Sequence, residues 1–232
     1  MYKYEAHLHT NETSKCGHVN AADQVKTYKE NGYTGICVTD HLNVDTFKYF
    51  GDPEDWKEFI EKFLVGYHNA KKAGEECGLE VILGIELRFP ENNNDYLVYG
   101  IDEQWLYDHP FINRMSHKEF FNTYGNEVLI IHAHPYRENK ERFFDSVHGF
   151  EIINCNPRHD SENARALKFA LNNPKFIRTC GSDAHQIGDE CRSAMLFDKT
   201  LTNSFEYKEA LEKGRFKMWC PEFDDIVKKA ER

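Results

Sequence analysis

The sequence predicts an α/β barrel in which parallel strands alternate with helical crossovers and polar chemistry gathers where the strands end. Three observations carry that expectation. Apolar, strand-like runs alternate with helical patterns. About seven such units fit the length. Five separate runs end in histidine or a carboxylate: His7 and His9, Asp40 and His41, Glu86, His132 and His134, and Asp183 and His185. A doubly wound open sheet is the alternative fold, compatible with the alternation alone.

The elements follow in order. Tyr4-Glu5-Ala6 runs into His7-Leu8-His9, and a helix is expected over 20–31, capped by Asn20 and ended before Gly32. Thr34 to Thr39 read as a buried strand leading to Asp40-His41. A long helix is expected over 53–77, from Pro53 to the residue before Gly78, followed by the strand Val81 to Ile85 and then Glu86. Asn92-Asn93-Asn94 reads as a turn into a strand near 95–101. Helices are expected at 103–108, 116–124, 160–172 and 204–213, with strands near 127–133, 149–154 and 176–181. Phe223 to Arg232 reads as a short amphipathic helix with a solvated charged face.

The chain of 232 residues suits one domain, residues 1–232, because it can build a full core and no repeat or low-complexity segment divides it. The 39 acidic against 29 basic residues disfavour a general binder of nucleic-acid backbone. Seven cysteines, an odd number without paired CxxC spacing, fit a reduced chain better than a disulfide framework. Cys37, Cys155 and Cys180 read as small core residues. The first candidate ligand comes as early as His7 and no apolar run reaches membrane-spanning length, so a cytoplasmic protein without a membrane partner is expected.

Side chains alternate along a strand, so His7 and His9 point the same way, as do His132 with His134 and Asp183 with His185. Same-side pairs are what a shared ion requires. Among twelve histidines a lone His-x-His would be noise, but five ordered strand ends are not. Imidazoles with carboxylates suit zinc, manganese or iron. His68, His109, His117 and His148 lie away from strand ends and read as surface or helix residues, and the Tyr and Phe positions as barrel packing.

In the order His7-Leu8-His9-Thr10, Thr39-Asp40-His41, Gly84-Ile85-Glu86, Ala133-His134-Pro135 and Gly181-Ser182-Asp183-Ala184-His185, the chain resembles the PHP superfamily, named for polymerase and histidinol phosphatase. The resemblance runs from residue 7 to 185. It implies a distorted (β/α)7 TIM-like barrel whose two or three divalent ions (Zn, Mn or Fe) hydrolyse phosphate esters. It carries metal-ligand roles to His7, His9, His41, Glu86, His134, Asp183 and His185. Asp40 falls on the opposite face from His41 and is expected to support the site without ligating.

Three positions depart from the family pattern. After His9, where relatives place Asp or His, this chain offers Cys16 or His18; the spacing to Gly32 and His41 favours Cys16, either as a soft ligand or as an inert loop thiol. Asp95 stands where many relatives place a ligand histidine, and reads as a ligand or as an ordinary turn residue. His132 reads as a ligand or as a hydrogen-bonded residue one layer deeper.

Phosphate also needs cationic donors. Arg137 follows His134, and Arg158 and His159 follow Asn156-Pro157, in stretches similar to Ala-His-Pro-x-Arg and Asn-Pro-Arg-His of related chains. Arg137, Arg158 and His159 are therefore expected to bind phosphate, with His159 a candidate acid for the leaving group. The expected activity is hydrolysis of a phosphate ester of a small metabolite or nucleotide. Hydrolysis of a C–N bond, or a non-catalytic regulatory module, are the alternatives. A polymeric substrate is disfavoured, and the oligomeric state is left open.

Overall fold

The computed structural model describes residues 1–51, 55–139 and 145–231. Its strands are β1 (Tyr2–Leu8), β2 (Gly35–Val38), β3 (His41–Leu42), β4 (Glu80–Leu83), β5 (Ile85–Arg88), β6 (Asp95–Tyr99), β7 (Leu129–His132), β8 (Gly149–Asn154), β9 (Ile177–Gly181), β10 (Ala194–Phe197) and β11 (Phe216–Trp219). They form two sheets, ordered β11-β10-β1-β2-β4 and β3-β5-β6-β7-β8-β9.

The two sheets share chain runs. β2 passes into β3 across Thr39 and Asp40, and β4 into β5 across Gly84, so each run starts in one sheet and ends in the other. The circuit returns from β9 to β1 through a parallel bridge between Leu8 and Ala184, where the His9 amide donates to the Ala184 carbonyl at 3.0 Å. Seven runs in turn line this distorted α/β barrel, as the alternation predicts.

One departure from βαβ order has a simple cause. β6 is antiparallel to both β5 and β7, since residues 89–94 are too few for a helical crossover and make a hairpin instead. β10 and β11 fall outside the expected elements: β10 pairs antiparallel with β1 and β11 with β10, extending the first sheet beyond the circuit.

The helices lie between the strands much as capping signals dictate. α1 (Ala21–Glu30) starts at Asn20, whose side chain accepts from the Asp23 amide. α2 (Val44–Phe50) is an addition, nucleated by a capping box between Asn43 and Thr46. The long helix expected over 53–77 is two, α3 (Trp56–Phe63) and α4 (Val65–Cys77), divided at Leu64; its expected start at Pro53 lies outside the described residues. α5 (Glu103–Asp108), α6 (His117–Tyr124), α7 (Asn163–Asn172) and α8 (Ser204–Glu212) fall where periodicity places them, and α9 (Phe223–Ala230) ends short of Arg232, which also lies outside the described residues. Among the described residues no helix is long and apolar enough to cross a membrane.

Two packing details bear on the strand ends. Glu5 is fully buried; it accepts from the His7 and Ser182 amides, both at 2.9 Å, and from the Tyr28 hydroxyl, tying β1 to the exit of β9, and burial pushes its pKa up to about 7. Gly66 of α4 presses on the loop after β1: a Cβ there would lie 2.0 Å from Thr10 Oγ1 and 2.9 Å from Asp40 Oδ2.

Candidate metal centre

His7 sits near the end of β1, with His9 one residue beyond it, and the alternation of β1 aims both rings into the barrel mouth. Their Nε2 atoms are 3.1 Å apart. Glu86 reaches the same point from β5: its two carboxylate oxygens lie 3.4 Å from His7 Nε2 and 3.3 Å from His9 Nε2. Asp183 Oδ1 completes the group at 3.4 Å from both nitrogens. His7, His9, Glu86 and Asp183 are all buried.

The remaining candidates surround this floor. His41, entering on β3, places Nδ1 2.8 Å from Glu86 Oε2, and His134 Nε2 stands 3.3 Å from Glu86 Oε1. The His185 ring lies 4.1 Å from that of His9, and His41 at 4.3 Å stacks on it too. Donor atoms of His7, His9 and Asp183, of His9, His41 and His185, and of His41, Glu86 and Asp95 each fall within 4.8 Å of one another, close enough to share an ion.

The donor chemistry fits divalent cations. His134 Nδ1 is buried without a hydrogen-bond partner, and both Glu86 oxygens, equally buried, meet only the imidazoles of the cluster. Such groups are costly unless something else satisfies them. Burial alone would raise the Glu86 and Asp183 carboxyls, but the facing imidazoles, with Arg137 beside Asp183, hold both well below the usual carboxylate range. Burial lowers His9, and the neighbouring His185 and His41 push it further down, so that it stays neutral and keeps a lone pair to offer.

Glu151, on β8, is a residue that pattern reasoning passes over. His7 Nδ1 donates to its Oε1 at 2.9 Å, which orients the ring with Nε2 toward the cluster. The other Glu151 oxygen accepts from the His134 amide at 3.0 Å and from Asn154 Nδ2 at 2.9 Å. Gly181 makes room for this contact, since a Cβ there would stand 2.3 Å from Glu151 Oε1 and 2.5 Å from His7 Cβ. Asp40 has a comparable part: it accepts from the Thr10 amide and hydroxyl, both at 2.7 Å, and from Ser14 Oγ at 2.6 Å, shaping the loop after His9.

Strand parity fails at two places. His134 and Asp183 have left-handed backbones, at φ 31° and 51°, so each ring or carboxylate is aimed by a turn rather than by a strand. His132, expected to share a face with His134, instead packs its ring 5.0 Å from Tyr96 and 5.8 Å from Phe150. His117, expected at the surface or on a helix, is helical but buried, and stacks on Tyr96 at 4.2 Å.

Between the two loop candidates, Cys16 contacts the site. Burial would raise its thiol, but hydrogen bonds to His185 and His41 outweigh that and bring its pKa down to about 6. His18 donates its amide to the His185 carbonyl at 2.6 Å and lines the mouth. Asp95 is buried, and Arg88 grips it with two bonds of 2.6 and 3.0 Å.

Above the cluster opens a cleft of about 310 Å³ lined in part by Arg137, Arg158 and His159. Arg137 is buried, and its Nη2 donates to Asn154 Oδ1 at 2.7 Å, Asp183 Oδ2 at 2.9 Å and Ser161 Oγ at 3.1 Å. Arg158 is paired with Asp189, which also accepts from the His185 and Gln186 amides at 2.9 Å. Desolvation and then the Arg137 charge lower the His159 pKa, so its imidazole is neutral at pH 7.

Comparison with solved structures returns the same fold. A two-domain protein from Bacteroides vulgatus, containing a predicted PHP-like metal-dependent phosphoesterase, aligns with TM-score 0.68 at 16% identity over 99% of this chain and 69% of its own. A candidate metal-dependent phosphoesterase from Bifidobacterium adolescentis aligns with TM-score 0.53 at 15% identity over 89% and 94%. An amidohydrolase from Chromobacterium violaceum, with bound sulfate and no metal, aligns with TM-score 0.55 at 10% identity over 96% and 99%. No curated protein matches the sequence. The PHP domain model matches residues 5–217, and with the strand-end cluster in place the chain belongs to the PHP family.

Proposed function

We propose that this chain, as one domain, is a metal-dependent phosphoesterase that hydrolyses a phosphate ester of a small metabolite or nucleotide. His7, His9, Cys16, His41, Glu86, Asp95, His134, Asp183 and His185 would hold two or three ions drawn from zinc, manganese and iron. Cys16, with its lowered thiol pKa, biases the choice toward thiophilic ions. The observation that carries the reading is the placing of a buried imidazole–carboxylate cluster directly beneath a cleft that Arg137, Arg158 and His159 line.

Bound divalent ions would supply Lewis acidity and a water ionised near neutral pH. The chain's own residues do the rest. Arg137 is pre-organised, because Nε and Nη2 are held by Ser161, Asn154 and Asp183. Phosphate binding by Arg137 therefore falls to Nη1, with no rotamer search on substrate entry. Arg158, steadied by Asp189, offers a second guanidinium. His159 donates a hydrogen bond as a neutral imidazole, and a phosphate dianion beside it would raise its pKa toward the range useful for protonating a leaving alkoxide.

The test is phosphate release from generic alkyl and aryl phosphate esters by protein loaded with Mn²⁺, Zn²⁺ or Fe²⁺. Turnover that depends on metal and disappears in His9→Ala supports the reading; turnover with no ion, or an unchanged His9→Ala, removes it. The name of the Chromobacterium violaceum neighbour supports a second reading, hydrolysis of a C–N bond. Amide substrates turned over in preference to phosphate esters would favour it. A non-catalytic regulatory role would show as a stable heteromer in gel filtration of native extract.

A further inference from the structure

Arg88 has no part in the reading above, yet among the described residues it touches the centre more directly than any cation except Arg137. It ends β5, two residues after Glu86, so strand alternation puts both side chains on one face. Its guanidinium lines the cleft and grips both oxygens of Asp95, Nε to Oδ1 at 2.6 Å and Nη2 to Oδ2 at 3.0 Å. The Asp95 side chain is 4% exposed and that of Arg88 is 32%.

Asp95 is also one of the three donors, with His41 and Glu86, that lie within 4.8 Å of one another, and its Oδ2 stands 3.8 Å from His134 Nε2. A carboxylate has about four lone-pair sites, so the Arg88 fork does not by itself bar Asp95 from ligating. Nor does it leave Asp95 fully charged toward a cation. The Arg88 fork takes both oxygens of Asp95, whereas Arg137 takes only Oδ2 of Asp183 and leaves Oδ1, the oxygen 3.4 Å from the Nε2 atoms of His7 and His9, to the cluster.

We propose that Arg88 is a positioning residue that makes the Asp95 side of the centre a deliberately weaker cation site than the His7–His9–Asp183 side. The inference rests on the metal-dependent reading. Arg88 orients the Asp95 carboxylate toward His41 and Glu86 and cancels its charge, so the ion held there is the one that exchanges. A buried unit charge a few ångströms from a divalent ion outweighs the orientation that the fork provides.

The test is competitive chelator titration of the full chain with Mn²⁺, combined with metal analysis of the purified protein. Wild type is expected to show a tight and a weaker class of ion. Arg88→Gln, which removes the charge, tightens the weaker class by roughly tenfold, while Arg88→Lys, which keeps the charge and loses the fork, does not tighten it. Asp95→Asn abolishes the weaker class and spares the tight one. Weaker binding in both Arg88 variants, or no change in Arg88→Gln, overturns the inference. Asp95→Asn carries the same decision if Arg88→Gln does not fold: retention of both classes sinks the idea. A wild-type protein that binds no ion removes the proposed function as well, so the two failures are distinct.

Discussion

The centre has a floor and a rim, and they are built differently. The floor comprises His7, His9, Glu86 and Asp183, with Glu151 and Asn154 behind them; every one of these side chains is buried and hydrogen-bonded or aimed at the cluster. The rim comprises Cys16, His41 and His185, on loops and a two-residue strand; the side chains of His41 and His185 are 20% and 12% exposed, and Cys16 is an exposed residue. A floor that cannot relax should hold its ion tightly, and a rim in contact with solvent should choose and exchange.

The sharpest way to break that distinction is at the floor. His7→Ala should lower phosphate release by about a thousandfold or more, since a several-kcal/mol metal contribution is lost. Activity that survives with a full complement of metal would show that the floor is not where chemistry is held. Next in size is Glu151→Gln, which keeps the shape but removes the charge and turns one of the two accepting oxygens that hold His7 and the His134 amide into a donor; metal affinity should fall by about 10–100-fold. Chelator titration checks it, and an unchanged affinity would make Glu151 a packing residue only.

Arg137→Lys should reduce kcat/KM by roughly tenfold to a hundredfold, because one point charge cannot reproduce the fork that reaches Asn154, Ser161, Asp183 and an anion together. Steady-state kinetics read the loss. The smallest expected effect is at the rim: Cys16→Ser should leave activity with manganese within about threefold while weakening zinc relative to manganese. Competition between the two ions measures the preference, and an equal loss with both would mean that Cys16 belongs to the floor in all but position.

Much of the floor is legible before folding, because β1 obeys strand parity: His7 and His9 converge as an i, i+2 pair must, and Glu86 is announced by the apolar run ahead of it. The barrel order is legible for the same reason, in the periodic segments that became α1, α5 and α8. What is lost are features decided by turns and by distant partners. His134 and Asp183 are aimed by left-handed residues that no parity rule anticipates, and of the two readings of His132 its packing on Tyr96 and Phe150 favours the deeper layer over ligation. Glu151 did carry a signal, a carboxylate in the middle of Gly149-Phe150-Glu151-Ile152-Ile153, where a strand buried on both faces has no room for an unpartnered charge. Arg88 carried one as well, two residues from Glu86 on the same strand face. The β5–β6 hairpin and the added strands β10 and β11 depend on loop length and on a free edge of β1, neither of which local periodicity encodes.

Gly66 sits on a helix that contributes no side chain to the cleft lining, yet its missing methyl is what lets α4 lie flush on Thr10 and Asp40. Adding that methyl would wedge the threonine off the aspartate, slacken the turn that carries Cys16, and so alter ion choice from behind. The outer shell thereby holds a handle on the chemistry that can be turned without touching a single donor atom.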